Sequence, residues 1–361
     1  MELKNSINIA IFGPVSVGKS TLLNGLFSNQ LSDMKINRTT MLPQVYYGND
    51  DNNNLDKSIY KINRENNKQL LNQKLTYENC VEIKHNIHNI RDIVNLPKNI
   101  NINIYDLPGL NDGESKDIYF NYIKKNFYKF DVILLVIDIN EAFSTDGTRE
   151  ILNIISELIT YQRIIIIANK CDDMFINNDT YELDEELNEM YFQIVRIVDE
   201  IKNKYTKFDS HIIPFCSQDI FIHRILKANP EFQLDMKYIN KIGVNEFGKS
   251  KWGRLNEKTK RGKINTYINE TDLNEVLIHS GFNLLKKKLS DLPYLEFFKN
   301  KINYYLGQIS HIDDSNFNDI IHEYNKLFKL SSNMISKSGK NICAIDNHLY
   351  KKLNIWFLLT R

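Results

Sequence analysis

The chain has 361 residues, 42% hydrophobic and 25% charged, with a formal net charge of +1. That length allows one sizeable domain and an appendage, and the composition is that of an ordinary globular chain. The near-neutral balance excludes a global attraction to nucleic acid or to an anionic membrane, so any such binding needs a local patch. Four cysteines, Cys80, Cys171, Cys216 and Cys343, form no C-x-x-C pair and suggest neither a disulfide framework nor a zinc site. The start MELKNS lacks a signal-type pattern and no apolar run is long enough to span a bilayer, so the expected location is cytoplasmic.

The first strong element is Ile7 to Leu23. An apolar run with β-branched Ile7, Ile9 and Ile11 leads into Gly13-Pro-Val-Ser-Val-Gly18-Lys19-Ser20, which fits G-x-x-x-x-G-K-[ST] between a strand and a helix. Gly13 and Gly18 allow a tight loop whose N–H groups point at phosphate oxygens, and the helix start adds partial positive charge. Lys19 reaches the outer phosphates and the Ser20 hydroxyl ligates magnesium. Val15, Ser16, Val17 and Thr21 complete the expected nucleotide-binding set.

Leu22, Leu23, Leu26 and Phe27 then recur at helical spacing and bury that helix against a sheet. The polar stretch Ser28 to Thr39 reads as a loop, followed by Thr40-Met-Leu-Pro43 and the strand-like Gln44 to Tyr47. A threonine here can complete the magnesium shell only while the terminal phosphate is present; Thr40 is preferred and Thr39 is the alternate. Residues 49–97 read as a polar insertion, helical around Leu70 to Leu75 and Ile83 to Leu96. His85 and His88 sit at helical spacing without a third ligand, and a solvated face is the simpler expectation.

Asn99 to Tyr105 alternates strictly, as a strand with one wet face does, and runs into Asp106-Leu-Pro-Gly109-Leu110. This has the D-x-x-G form: Asp106 holds magnesium through a water, and the Gly109 N–H senses the terminal phosphate. Leu110 follows the glycine, so a glutamine that orients the attacking water is absent. Val132 to Ile137 and Ile164 to Ala168 are continuous apolar runs, expected as central parallel strands buried on both faces. A helix is expected over Tyr181 to Tyr205, with Leu183, Leu187, Ile194, Val198 and Ile201 on one stripe. Asn169-Lys170-Cys171-Asp172 ends the second buried strand and matches N-K-x-D: the Asp172 carboxylate accepts the ring N1–H and amine of guanine, with Asn169 and the Lys170 stem completing the pocket. The strand His211 to Phe215 leads to Ser217, where backbone is expected to cap the base oxygen. The alternation gives an α/β, doubly wound, mostly parallel sheet of the P-loop NTPase type.

With these elements in order the chain resembles the GTPase domain of the dynamin superfamily. Ser16 stands two residues before Gly18, where dynamin-like loops carry a serine that helps hold K+ or Na+. Thr40 and Pro43 spell T-x-x-P, and Asp106 to Gly109 spells D-L-P-G. The strings Arg38 to Tyr47 and Asp106 to Asp112 look especially like dynamin-type GTPases of large DNA viruses, which would put the protein in the host cytoplasm. The resemblance covers the chain to about Leu292. It implies GTP and GDP as ligands, magnesium, hydrolysis, and a homodimer through the nucleotide face, with Asp146 as a residue reaching across it. Ser16, Lys19, Thr40 and Gly109 are the implied catalytic set, and Ser20, Thr40 and Asp106 the implied metal set. Two departures stand out: N-K-x-D replaces the usual T-K-x-D, and the remainder of the chain is too short for a dynamin stalk. A GTP-dependent switch or scaffold and an RNA or ribosome assembly GTPase are the alternatives.

The expected division is 1–292 for the GTPase domain, with insertions near 49–97 and 229–271, and 293–361 for a short helical extension. Lys237 to Lys263 is basic, with Phe247 and Trp252 interleaved, and is expected to be a solvated insertion near the base. Ser280 to Leu289 closes the domain as a helix with Phe282, Leu285 and Leu289 on one face. Helices are expected over Leu295 to Ile309, Asn316 to Leu330 and Ala344 to Leu359. The last, with Leu349, Leu353, Trp356 and Phe357, is expected to pack back on its own domain or on a partner helix, with an interfacial membrane helix as the alternative.

Overall fold

The computed structural model describes residues 5–32, 34, 40–48, 56–71, 75–87, 93–94, 100–110, 115–172, 175–177, 180–183 and 185–292. The chain divides into two compact units, Ser6–Leu292 and Met1–Asn5 with Pro293–Arg361, and the description concerns the first. The three C-terminal helices expected from the sequence, Thr39, and His88 lie outside the described residues.

A seven-stranded sheet forms the centre. Its strands are β1 (Asn5–Phe12), β2 (Gln44–Gly48), β3 (Ile83–Ile87), β4 (Ile100–Asp106), β5 (Val132–Asp138), β6 (Arg163–Asn169) and β9 (Ser210–Phe215), in the spatial order β3-β2-β4-β1-β5-β6-β9. β1 with β5, β5 with β6, and β6 with β9 are parallel, whereas β2 is antiparallel to β4. All seven residues of β5 are buried and only Arg163 of β6 is not. Continuous Val, Ile and Leu runs suit this position because helices cover both faces, and each fully buried side chain contributes roughly 1.5–3 kcal/mol. The doubly wound sheet is thus the one the motif order implies.

The covering helices are α1 (Lys19–Phe27), α2 (Asp56–Leu71), α3 (Lys116–Asn126), α4 (Asp146–Leu158), α5 (Glu185–Lys204) and α6 (Ser217–Ala228). α1 ends at Ser28, which takes a left-handed φ of 52° and donates its N–H to Asn24 and Gly25 carbonyls. The Arg224 guanidinium of α6 adds bonds to the Gly25 and Leu26 carbonyls at 2.8 and 2.9 Å. A cation there also suits the negative end of the helix dipole.

Two elements differ from the sequence expectation. Ile83–Ile87 is the edge strand β3, parallel to β2, and not part of a helix. His85 is accordingly buried at 5% exposure, stacked on Tyr46 with ring centroids 5.2 Å apart and its Nε2 2.6 Å from Gln44 Oε1. It is not on a solvated face, because strand period 2 turns it inward where period 3.6 would not. Residues 49–97 therefore supply a strand to the sheet and the helix α2, which spans Asp56–Leu71 instead of starting near Leu70. Likewise Tyr181 belongs to the hairpin of β7 (Phe175–Asn177) and β8 (Thr180–Glu182), and the helix begins only at Glu185.

Beyond α6 come α7 (Met236–Phe247), α8 (Lys249–Gly253), α9 (Glu257–Glu270), α10 (Leu273–His279) and α11 (Phe282–Ser290). The basic stretch has its own core: Trp252 is 1% exposed, stacks on Phe247 with centroids 5.5 Å apart, and clusters with Phe221, Tyr238, Ile264 and Ile268. Gly243 makes this possible, since a Cβ there would stand 2.0 Å from Trp252 Cε2. Of the aromatics that alternate with the lysines, Trp252 is interior and Phe247 is half-buried against its core, and Lys237, Lys249, Lys251, Lys258 and Lys263 are exposed. Among the described residues no helix is long and apolar enough to cross a membrane.

Candidate functional site

The site lies at the C-terminal ends of the strands, as in other open α/β sheets. β1 delivers the phosphate loop. Gly13 and Gly18 take φ of 146° and 97°, and Ser16, exposed, takes 68°. A non-glycine residue held left-handed costs of order 1 kcal/mol, a strain typical of ligand-binding loops. A Cβ on Gly13 would lie 2.2 Å from the Val136 carbonyl oxygen, and one on Gly18 would lie 2.3 Å from Asn169 Nδ2. Both glycines are therefore required by space as well as by conformation.

Lys19 opens α1 and curls back into the loop, donating to the Gly13 and Pro14 carbonyls at 2.9 and 2.5 Å. Burial lowers its pKa to about 8, against the opposing pull of Asp106. Asp106, fully buried at the end of β4, is raised to about 6 by desolvation, which outweighs the Lys19 charge and a hydrogen bond from Thr40. Thr40 Oγ1 donates to Asp106 Oδ2 at 3.2 Å, while Asp106 Oδ1 has no hydrogen-bond partner. A buried carboxylate oxygen without a donor beside a threonine hydroxyl is a donor set that fits a hard divalent cation. Ser20 and Thr21 follow Lys19 in the first turn of α1.

Gly109 closes the phosphate end. A Cβ on it would lie 2.4 Å from Val15 Cγ2 and 3.0 Å from the Val15 backbone, so this glycine is placed for close approach to the loop. The Leu110 N–H donates to the Gly13 carbonyl at 3.4 Å, and the Leu110 side chain is buried at 1% exposure. The loop with Thr40 is held by groups that the sequence reading missed: Met41 N–H donates to Asn67 of α2 at 3.3 Å, and Tyr119 of α3 donates to the Met41 carbonyl at 2.9 Å. Asn63, one turn before Asn67, donates to the Leu31 carbonyl and to Tyr46 Oη.

The base end is built by sheet register. Asp138 and Asn169 are paired at the ends of β5 and β6, and the next residue, Lys170, at φ 71°, reaches Asp138 at 2.5 Å. A carboxylate ending a buried strand beside N-K-x-D was the available sequence signal for Asp138. Asn169 spends its amide on the scaffold, donating to the Val17 carbonyl at 2.7 Å and accepting the Ser217 N–H at 3.0 Å. It ties phosphate loop to base loop, and the Ser217 amide is already bonded. Asp172 is exposed; its Oδ2 accepts Lys241 Nζ of α7 at 2.5 Å and its Oδ1 accepts Cys216 Sγ at 3.3 Å. Lys241 had no local sequence signal. Asp146 is the first residue of α4, whose N-cap is Thr145.

A family model described as the Dynamin family matches residues 9–171, from the phosphate loop strand through Asn169 and Lys170. Over this segment the chain is similar to the dynamin family. The matched segment holds Gly13 to Thr21, Thr40, Asp106, Gly109, Asn169 and Lys170, whereas Asp172, Ser217 and Lys241 follow it. A curated relative, the uncharacterized protein R618 of Acanthamoeba polyphaga mimivirus, is 26% identical over 337 residues, covering 81% of this chain and 54% of its own length. The chain thus spans about half the length of that relative. Among solved structures, Era in complex with MgGDPNP and a 16S ribosomal RNA segment aligns at 21% identity, over 64% of this chain and 59% of that one, with a TM-score of 0.35. A dimerization-deficient mutant of Toc33 from Arabidopsis thaliana aligns at 13% identity, over 59% and 71%, with a TM-score of 0.36. At these scores the fold rests on the strand order and the motifs themselves.

Proposed function

We propose that the chain binds GTP and hydrolyses it to GDP and phosphate, with magnesium, and that pairing of two copies across the nucleotide face promotes turnover. The observation that carries this reading is the buried cluster of Lys19, Thr40 and Asp106 beneath a loop against which Gly109 is packed. Magnesium, when bound, supplies charge neutralisation between phosphates, and Ser20, Thr40 and Asp106 would hold it. Lys19 places its ammonium charge at the loop, where the low dielectric strengthens it toward phosphate oxygens. The Gly109 backbone and Thr40 close on the terminal phosphate, and Asp172 accepts from guanine. Ser16, by family likeness, contributes to a K+ or Na+ site. Phosphate release from GTP by the full chain, with magnesium and potassium, tests the reading; turnover that persists in Lys19→Ala would refute it.

A slow GTP-dependent switch is the second reading, favoured by one observation. Leu110, buried and apolar, stands where a side chain could otherwise orient water. Bound nucleotide with negligible turnover at all protein concentrations would establish it; turnover rising with protein concentration favours the paired hydrolase. In either reading the segment after Leu292 is proposed to meet a protein partner or a membrane surface.

A further inference from the structure

The surface of α8 and α9 carries charge that the domain does not answer. From Asp235 to Lys263 the chain has nine lysines and arginines against three carboxylates. All three carboxylates are engaged: Asp235 caps α7 by accepting the Lys237 N–H, Glu246 accepts from the Tyr267 hydroxyl, and Glu257 accepts from the Arg261 guanidinium at 2.8 Å. Lys241 is taken by Asp172, and Lys260 donates to Asn240. Lys249, Lys251, Arg254 and Lys258 are exposed, and among the described residues none of them forms an ion pair.

The small core beneath fixes where these charges stand. Trp252, stacked on Phe247, anchors α8 from within, so its neighbours Lys251, Gly253 and Arg254 are carried outward. Lys260 and Lys263 of α9 stand over the same two rings, with Nζ 5.6 Å from the Trp252 centroid and 5.4 Å from that of Phe247. The cations of both helices thus border one aromatic anchor and make a single patch. Two glycines sit among them, Gly253 and Gly262, and a Cβ on either would meet nothing within 4 Å. Neither takes a positive φ, and glycine weakens a helix interior relative to alanine, so nothing inside the domain calls for them. They leave bare backbone beside Arg254 and Lys263, where a phosphate group can come close.

The same face discriminates among polyanions. Trp252 is buried and Phe247 half-buried, so no ring is free for unpaired bases to stack on. Of the large apolar side chains between 235 and 263, Val244 alone is exposed, which leaves too little to insert into a bilayer. A row of cations without stacking rings or an apolar wedge matches the phosphate backbone of a duplex.

We propose that the α8–α9 face binds double-stranded nucleic acid through its phosphates, without reading sequence. The surface is independent of GTP hydrolysis and is tested without nucleotide. Fluorescence anisotropy of a labelled duplex of about 20 base pairs, titrated with the full chain, gives saturable binding whose logarithm falls against log salt with a slope of about −4. Replacing Lys249, Lys251 and Arg254 together by glutamine flattens that slope by about 3 and weakens binding about tenfold or more near 100 mM KCl. Lys124→Gln, Lys125→Gln and Lys207→Gln together remove the same charge from exposed positions elsewhere and leave slope and affinity unchanged. All six positions are exposed, and both variants melt with the parent chain. A single strand of equal length binds more weakly, and sedimentation with phosphatidylserine vesicles is the same for the parent and the first variant. The proposal is overturned by the absence of duplex binding near 50 mM KCl, or by a slope that the first variant leaves intact. Single-strand binding as tight as duplex binding would also overturn it. So would loss of vesicle binding in the first variant, which would assign the face to a lipid surface.

Discussion

The Asn169 end and the Thr40 end of the candidate site, proposed to hold the base and to sense the terminal phosphate, are built from different materials. At the base end Asn169 hangs from β6, between strands with almost no exposed residue, and both faces of its amide are bonded to loops fixed by the same sheet. At the other end Thr40 is held by a buried carboxylate, and its neighbour Met41 by Asn67 and Tyr119, side chains from two separate helices. The first arrangement cannot open without breaking the core. The second can exchange polar bonds one at a time, which is what the role proposed for Thr40 at a terminal phosphate requires.

The comparison breaks most visibly at Lys19, where the two ends meet. Lys19→Ala is expected to lower GTP turnover at least about 100-fold, read as phosphate release, because among the described residues no other ammonium reaches the loop carbonyls. A smaller effect belongs to the sensing end and depends on pH. His85 is depressed from 6.5 to about 4 by burial, so its contribution to stability is complete above about 6.5 and is lost as the pH falls toward 4. His223, equally depressed, acts in the same direction. His85→Gln should remove part of that acid lability, of order 3 kcal/mol at most from the size of the shift, as read by denaturant melts at pH 4.5 and 7.5. If the variant and the parent lose stability in parallel, His85 is not the titrating group.

Asn169→Ala sharpens the rigid side of the contrast. Loss of two buried bonds should destabilise the fold by about 2–3 kcal/mol in urea and weaken nucleotide binding with it. Asn67→Ala probes the adaptable side: about 1 kcal/mol or less in urea, but faster release of a fluorescent guanine nucleotide. Equal stability losses for the two asparagines would remove the distinction between the ends.

Legibility followed the same division. β5 and β6 were readable because both faces are covered and the run of Val, Ile and Leu is unbroken, and their ends locate Asn169 and Lys170 at once. The edge strand β3 was not, because five residues reading Ile-Lys-His-Asn-Ile carry too short an alternation to oppose the helical spacing of two histidines. Asn67 and Lys241 reach the site from α2 and α7, across 26 and 69 residues of chain. Local spacing carries no record of such partners; they are set by how the helices dock. The basic stretch misled in a milder way, since Trp252 and Phe247 interrupt the lysines in sequence but turn into a core in space.

That core gives Gly243 a reach beyond its own helix. The indole edge of Trp252 fits against the missing side chain and so sets the rotational phase of α7, the angle at which its successive residues are presented. Lys241, two residues earlier, meets Asp172 because of that phase. A methyl group added at position 243 turns the helix without altering any charge, and the Lys241–Asp172 pair would then shift through a mechanical lever whose fulcrum is an indole ring.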